Sequence, residues 1–350
     1  MRKLLFMVPA WLAGLVVCGQ PAHSAKKYSP EALRIDLLYI QYQLLNVQAN
    51  PFALHNKASW EQLFSKLEKE CKDSLTAEEF VKRMSAVIAL LGDEHAHLDV
   101  AAATKVSGSA TSGNARQSAA EQLRYAVYGK TGYLYAGSFD SWSQQETARY
   151  GAVLDSIFYQ IHLDKLNKLV IDVSENSGGN SALGEMIIEH FYTKPYLDYS
   201  CNWRRSDEYA RLLDSWGFKP EERYMQLSPG KILHLPSDTI RPAPGAYTFN
   251  GKVYVMVGDG TFSSAIIFAT LVKDNHLATL IGTTPASGHP THFGELYNTT
   301  TPVLKLQLRF GVKEWIRPAG TGGENVLKPD IEMPVKGMNI ASLMDRVSRL

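Results

Sequence analysis

The stretch that decides the fold is Leu169-Val170-Ile171-Asp172-Val173-Ser174-Glu175-Asn176-Ser177-Gly178-Gly179-Asn180. Its first five residues are almost all apolar, as in a short strand covered on both faces. Two adjacent glycines then allow backbone geometry closed to other residues, and the spacing over 181–192 is helical. A buried strand turning into a helix is the repeating unit of a parallel α/β sheet. The corner itself reads either as a plain strand–helix turn or as a cradle whose free amides face an anion.

The same alternation extends outward. Residues 133–135 read as a strand and 144–163 as a helix; 253–257 is a strand, 263–272 a helix and 278–281 another strand. This order predicts an α/β fold with a mixed or largely parallel sheet and flanking helices, over a core of residues 123–340. Upstream, apolar residues three and four apart predict a helix over 30–46, and Trp60, Leu63, Phe64 and Leu67 put one apolar side on a second helix. Thr76-Ala77-Glu78-Glu79 is a capping box, after which Phe80, Met84, Val87 and Leu91 define the buried face of a third. Together these form a small N-terminal helical domain, residues 28–98. Residues 99–122, mostly small and polar, read as a flexible linker or flap, and 197–249, with no clear period, as an insertion or lid.

The 350 residues carry 36 Lys+Arg against 35 Asp+Glu, which argues against a dedicated nucleic-acid binder. Three cysteines exclude a disulfide-stapled scaffold and a Cys-rich metal site. Met1-Arg2-Lys3 followed by an apolar run to Val17 reads as a secretory signal peptide over residues 1–24, with cleavage after Ser24 or Ala25. The run is short for a membrane span. The expected location is the periplasm or the extracellular space, and Cys18 offers a lipidation site as a second reading. Removal of the leader leaves Cys71 and Cys201, enough for at most one internal disulfide.

A second corner, Gly258-Asp259-Gly260-Thr261-Phe262-Ser263-Ser264-Ala265, again joins strand to helix. A serine there is either a helix cap or a nucleophile whose neighbouring amide faces a developing oxyanion. A nucleophile needs a base, and Leu91-Gly92-Asp93-Glu94-His95-Ala96-His97-Leu98 supplies imidazoles beside carboxylates. That segment reads as a polar helix end, a metal site or the home of a catalytic base; its spacing is not that of His-Glu-x-x-His.

Five segments, in order, resemble the S41 peptidases, the tail-specific or C-terminal-processing proteases and their tricorn-core relatives. Residues 91–95 are similar to "Leu-x-Asp-Gly-His" and 169–179 to "Leu-Ile-Ile-Asp-Leu-Arg-x-Asn-x-Gly-Gly". Residues 260–266 resemble "Thr-x-Ser-x-Ala-Glu", 281–288 "Ile-Gly-Glu-x-Thr-x-Gly" and 324–331 "Gly-Val-x-Pro-Asp-Ile". The resemblance implies a ClpP/crotonase-like core and a serine peptidase that forms an acyl-enzyme on Ser263, with Ser264 as the alternative assignment. It places the oxyanion hole at the Ser264 amide and one from Gly178 or Gly179. A Ser–Lys dyad is disfavoured, because Gly288-His289-Pro290 stands where that branch carries Gly-Lys-Gly. The tricorn-like branch implies His95 as base supported by Glu324, with His289 and Glu295 as the reserve pair. The spacing after His95 leaves no room for a PDZ domain. A peptide or protein substrate is implied, and no cofactor or metal. Ile266 replaces the motif's glutamate and Ser174 its arginine, so an inactive peptide- or carbohydrate-binding relative is the alternative reading.

Overall fold

The computed structural model describes residues 26–100, 118–141, 143–243 and 245–350. The expected leader at 1–24, with Cys18, and most of the expected flap at 99–122 lie outside them. Along the chain come β1 (Lys27–Tyr28), α1 (Pro30–Asn46), α2 (Lys57–Glu70), β2 (Leu75–Thr76), α3 (Ala77–Leu90) and β3 (His97–Asp99). Next are β4 (Leu123–Tyr128), β5 (Thr131–Ala136), α4 (Gln144–Asp164), β6 (Lys168–Asp172) and α5 (Ser181–Glu189). The stretch that lacked a period holds β7 (Tyr196–Leu197), β8 (Ser200–Arg204), α6 (Asp207–Ser215), α7 (Glu222–Met225), β9 (Ile232–Leu235) and β10 (Thr239–Ile240). The chain closes with β11 (Lys252–Val257), α8 (Ser264–Asp274), β12 (Thr279–Gly282), β13 (His292–Thr300), β14 (Gln307–Ile316), β15 (Ile331–Glu332) and α9 (Ile340–Ser348).

Six strands form the first sheet in the order β15-β12-β11-β6-β5-β4. All neighbours are parallel except the antiparallel edge strand β4. Side chains alternate between its faces, as the pleat requires. Leu169, Ile171, Val253 and Val255 join the core under α4, α5 and α8, beside Phe158, Ile187 and Phe268. Val170, Tyr254 and Met256 face the other way, onto Leu343, Met344 and Val347 of α9. Strand β6 is apolar at successive positions because helices cover both faces.

The second sheet is antiparallel, ordered β13-β14-β8-β9, with β3 also paired to β14. The three N-terminal helices do not bury their apolar stripes among themselves alone. Leu37, Ile40, Trp60, Phe64, Phe80 and Met84 share one core with Tyr297, Leu308, Phe310 and Val312 of the β13–β14 hairpin. Strand β8 and α6, from the expected insertion, add Trp203 and Tyr209 to the same core. The capping box at α3 is closed by two hydrogen bonds, Thr76 N–H to Glu79 Oε2 (2.8 Å) and Glu79 N–H to Thr76 Oγ1 (3.2 Å). Cys71 and Cys201 are buried free thiols.

One buried carboxylate ties the helices to the hairpin. Asp36 of α1 accepts hydrogen bonds from Val303 N–H (2.9 Å) and Leu304 N–H (2.7 Å), between β13 and β14. Asp36→Ala orphans both amides and should cost about 3 kcal/mol, read as a lower urea midpoint with an unchanged m-value.

Candidate active site

The two glycine corners lie side by side at the C-terminal ends of β6 and β11. Thr261 Oγ1 donates to the Val173 carbonyl (2.8 Å) and Gly260 N–H to the Ser174 carbonyl (3.0 Å). Phe262 N–H donates to the Asn176 carbonyl (3.0 Å), while Asn176 Oδ1 accepts from Gly178 N–H (2.8 Å). Ser174, at the motif's arginine position, is buried and packs against both glycines of the second corner: a Cβ at Gly258 would lie 2.9 Å from its Cβ, and one at Gly260 2.9 Å from its carbonyl oxygen.

This clasp holds Ser263 at φ 51°, ψ −123°, a backbone conformation that side-chain-bearing residues rarely adopt. Helix α8 begins one residue later, and the Ser263 hydroxyl makes no capping hydrogen bond. A Cβ on Gly178, itself at φ +97°, would stand 2.8 Å from Ser263 Cβ and 2.8 Å from Ser264 N, so only glycine permits the approach. Neighbouring Ser264 is used differently: its Oγ donates to the Gly179 carbonyl at 2.7 Å. The Gly178 amide is committed to Asn176, whereas those of Gly179 and Ser264 have no acceptor among the described residues.

His95 meets this turn from the other sheet. Its Nε2 lies 3.3 Å from Ser263 Oγ, and its ring centroid 5.0 Å from that of Phe262. The segment is held by β3, paired to β14 with His97 opposite Arg309, and by buried Asp93, which accepts from His95 N–H (2.9 Å) and Gly311 N–H (2.7 Å). Burial raises the Asp93 pKa against the lowering effect of those two amides. Burial also lowers the His95 pKa, aided by Arg309, while Glu94 opposes the shift. A neutral ring is the form that accepts a proton. Among the described residues no partner meets hydrogen-bond geometry at buried His95 Nδ1; the Phe293 backbone favours the protonated ring, and the carboxylate oxygen recorded for Nδ1, Asp93 Oδ1, is 3.8 Å away.

The other residues singled out from sequence stand apart from this pair. Glu324 is exposed and ion-paired with Lys328, one helical turn's spacing along the chain, and has no contact with His95. His289 pairs instead with Glu94, its Nδ1 3.2 Å from Oε2. Glu295, at φ 52°, takes Lys313 (3.4 Å) and the Tyr209 hydroxyl (3.5 Å) as partners. The reserve pair is therefore not a pair. Among the described residues no group of three or more His, Cys, Asp or Glu is arranged to hold a metal ion.

Two residues of the site carried too little sequence signal to be singled out. Asn176 is fully buried and also donates Nδ2 to the Ala136 carbonyl (2.8 Å), making it the hub of its corner. His292 is buried with its ring centroid 6.4 Å from that of His95, and its Nδ1 bonds the Pro290 carbonyl at 3.1 Å. The Asn of the family-like motif pointed to the first; a lone histidine after a proline pointed to nothing.

A strained serine at the end of the largely parallel sheet faces a histidine delivered by a second sheet, the spacing at which an imidazole can take a proton from a hydroxyl. Residues 130–333 match the sequence model of peptidase family S41, and the chain belongs to that family. No curated protein matches the chain. Among solved structures it is similar to a putative peptidase from Parabacteroides merdae, at 14% identity and TM-score 0.61, covering 92% of this chain and 96% of that one. It is also similar to mature CPAF, at 12% identity and TM-score 0.62, covering 91% and 96%. Mature CPAF complexed with lactacystin aligns at 13% identity and TM-score 0.63, covering 91% and 97%. At these identities the likeness establishes the shared α/β fold.

Burial pushes the His292 imidazole down to about 4 from its ordinary 6.5. Its folded pKa lies below the unfolded one, so its contribution is full above about pH 6.5 and is lost as pH falls towards 4. A loss of about 3 kcal/mol is expected across that window. His292→Asn should flatten this part of the pH dependence of the urea midpoint.

Proposed function

We propose that the protein is a serine peptidase that cleaves peptide bonds through an acyl-enzyme on Ser263, with His95 as general base. The observation that carries this reading is the 3.3 Å approach of His95 Nε2 to the hydroxyl of a serine held in a strained turn. In the neutral tautomer with its proton on Nδ1, His95 accepts the Ser263 hydroxyl proton as Oγ attacks the scissile carbonyl. The oxyanion is received by the Ser264 and Gly179 amides, helped by the positive end of α8. Protonated His95 then gives its proton to the leaving amine, and water activated by the same ring resolves the ester.

Gly179 is preferred to Gly178 as second donor because the Gly178 amide is already engaged. Asp93 supports the base by fixing its backbone, in place of Glu324, which is ion-paired with Lys328. A substrate peptide is supported by the family, and a site of action outside the cytoplasm by the basic and apolar leader at residues 1–24. No helix among the described residues is long and apolar enough to cross a membrane.

Fluorophosphonate labelling followed by peptide mapping tests the assignment. Wild type should take the label on Ser263, while Ser263→Ala should take none and lose casein hydrolysis by at least about 10³-fold. His95→Ala should reduce the labelling rate by about 10²–10⁴-fold with the fold intact by circular dichroism. Labelling that persists in Ser263→Ala overturns the nucleophile; a wild type that neither labels nor hydrolyses casein points to the binding-protein reading.

A further inference from the structure

Two motif departures converge on one glycine. Ile266 occupies the position of the motif's glutamate, and Glu94 that of its glycine beside the histidine. A Cβ built on Gly288 would lie 2.7 Å from Ile266 Cγ1 and 3.3 Å from Phe262 Cδ2, so this loop residue rests on the nucleophile turn. From the opposite side, Gly288 N–H donates to both Glu94 oxygens, at 2.8 Å and 2.9 Å. His289 N–H adds a third contact to Oε2 at 3.1 Å, and the His289 ring stands beside the same oxygen.

These contacts close a ring. Glu94 is bonded through the backbone to His95; its carboxylate holds the loop after β12; that loop packs on Phe262 and Ile266; Phe262 faces the His95 ring. Asp93 fixes the same segment to β14 only on its other side. We propose that Glu94 is a positioning residue: its carboxylate, held by the Gly288 and His289 amides, locks the loop after β12 to the histidine segment and so sets the approach of His95 to Ser263. This role rests on the serine-peptidase reading above. A carboxylate gripping backbone amides is a strong, directional tether. Without it the loop loses its acceptor, and a misplacement of about 1 Å between base and nucleophile costs on the order of 10²-fold in rate.

The test is the rate of fluorophosphonate labelling of Ser263 as a function of pH in wild type, Glu94→Gln and Glu94→Asp. The charged and titratable groups around His95 are Asp93, Glu94, His97, Arg309 and His292. Of these, Glu94 favours the protonated ring, so its neutralisation moves the acid limb of the profile to lower pH. Glu94→Gln should label about 10–100-fold more slowly with that displaced limb, and Glu94→Asp should recover part of the rate. Slow labelling with an unmoved limb would indicate mere loosening of the fold and overturn the proposal, as would an unchanged rate. If wild-type Ser263 takes no label, the peptidase reading has failed, and hydrogen exchange at the Gly288 and His289 amides decides on Glu94 independently. Faster exchange in Glu94→Gln supports the tether, and unchanged exchange overturns it.

Discussion

Everything in the site depends on the grip between two corners. Asn176 uses its carbonyl, its side-chain oxygen and its side-chain nitrogen on three different partners: Phe262, Gly178 and Ala136. Both side-chain bonds are buried, where an unmet polar group is costly, so the corners are held in one arrangement rather than several. That arrangement forces Ser263 into its unfavourable backbone state and frees its hydroxyl from the capping role that a serine before a helix ordinarily takes. The neighbouring serine shows the contrast: Ser264 spends its hydroxyl on Gly179 and helps hold the turn.

The histidine comes from a different layer. Histidine and serine are carried on separate sheets, and the accuracy of their meeting is set by what joins those sheets. Two polar joints are Glu94 on the Gly288–His289 amides and the Tyr199 hydroxyl on the Pro290 carbonyl at 3.0 Å, alongside Trp315, which packs against both cores. Both polar joints converge on the loop that follows β12. A hydrophobic contact there would tolerate sliding, whereas a carboxylate on two amides has a direction as well as a distance.

Much of the first sheet was legible in the sequence. Strands buried on both faces are short apolar runs, and the helices between them keep a clear period, so β6, α5, β11, α8 and β12 fall close to where the pattern puts them. The choice between Ser263 and Ser264 was not legible, because it turns on a backbone angle rather than on residue type. The β13–β14 hairpin was missed because its partly exposed, mixed-polarity strands resemble loop, and its role as the other half of the N-terminal helices' core is a long-range property. Glu324 shows the same limit: a motif aligned by sequence places a carboxylate near the chain's end, but its partner in the structure, Lys328, is not something the motif reveals.

The pairing of β3 with β14 has a consequence in time. His95 and Ser263 are 168 residues apart in sequence, and the strand that supports the histidine segment ends only at Ile316. During synthesis the serine corner can be complete while the histidine still has no strand to lie against. Long-range pairing of this kind forms late, once the closure of a large loop has been compensated by the packing it permits. A growing or half-folded chain therefore holds His95 and Ser263 apart. Their meeting is a property of the finished fold alone, so the activity proposed for the pair arises only once β14 is in place.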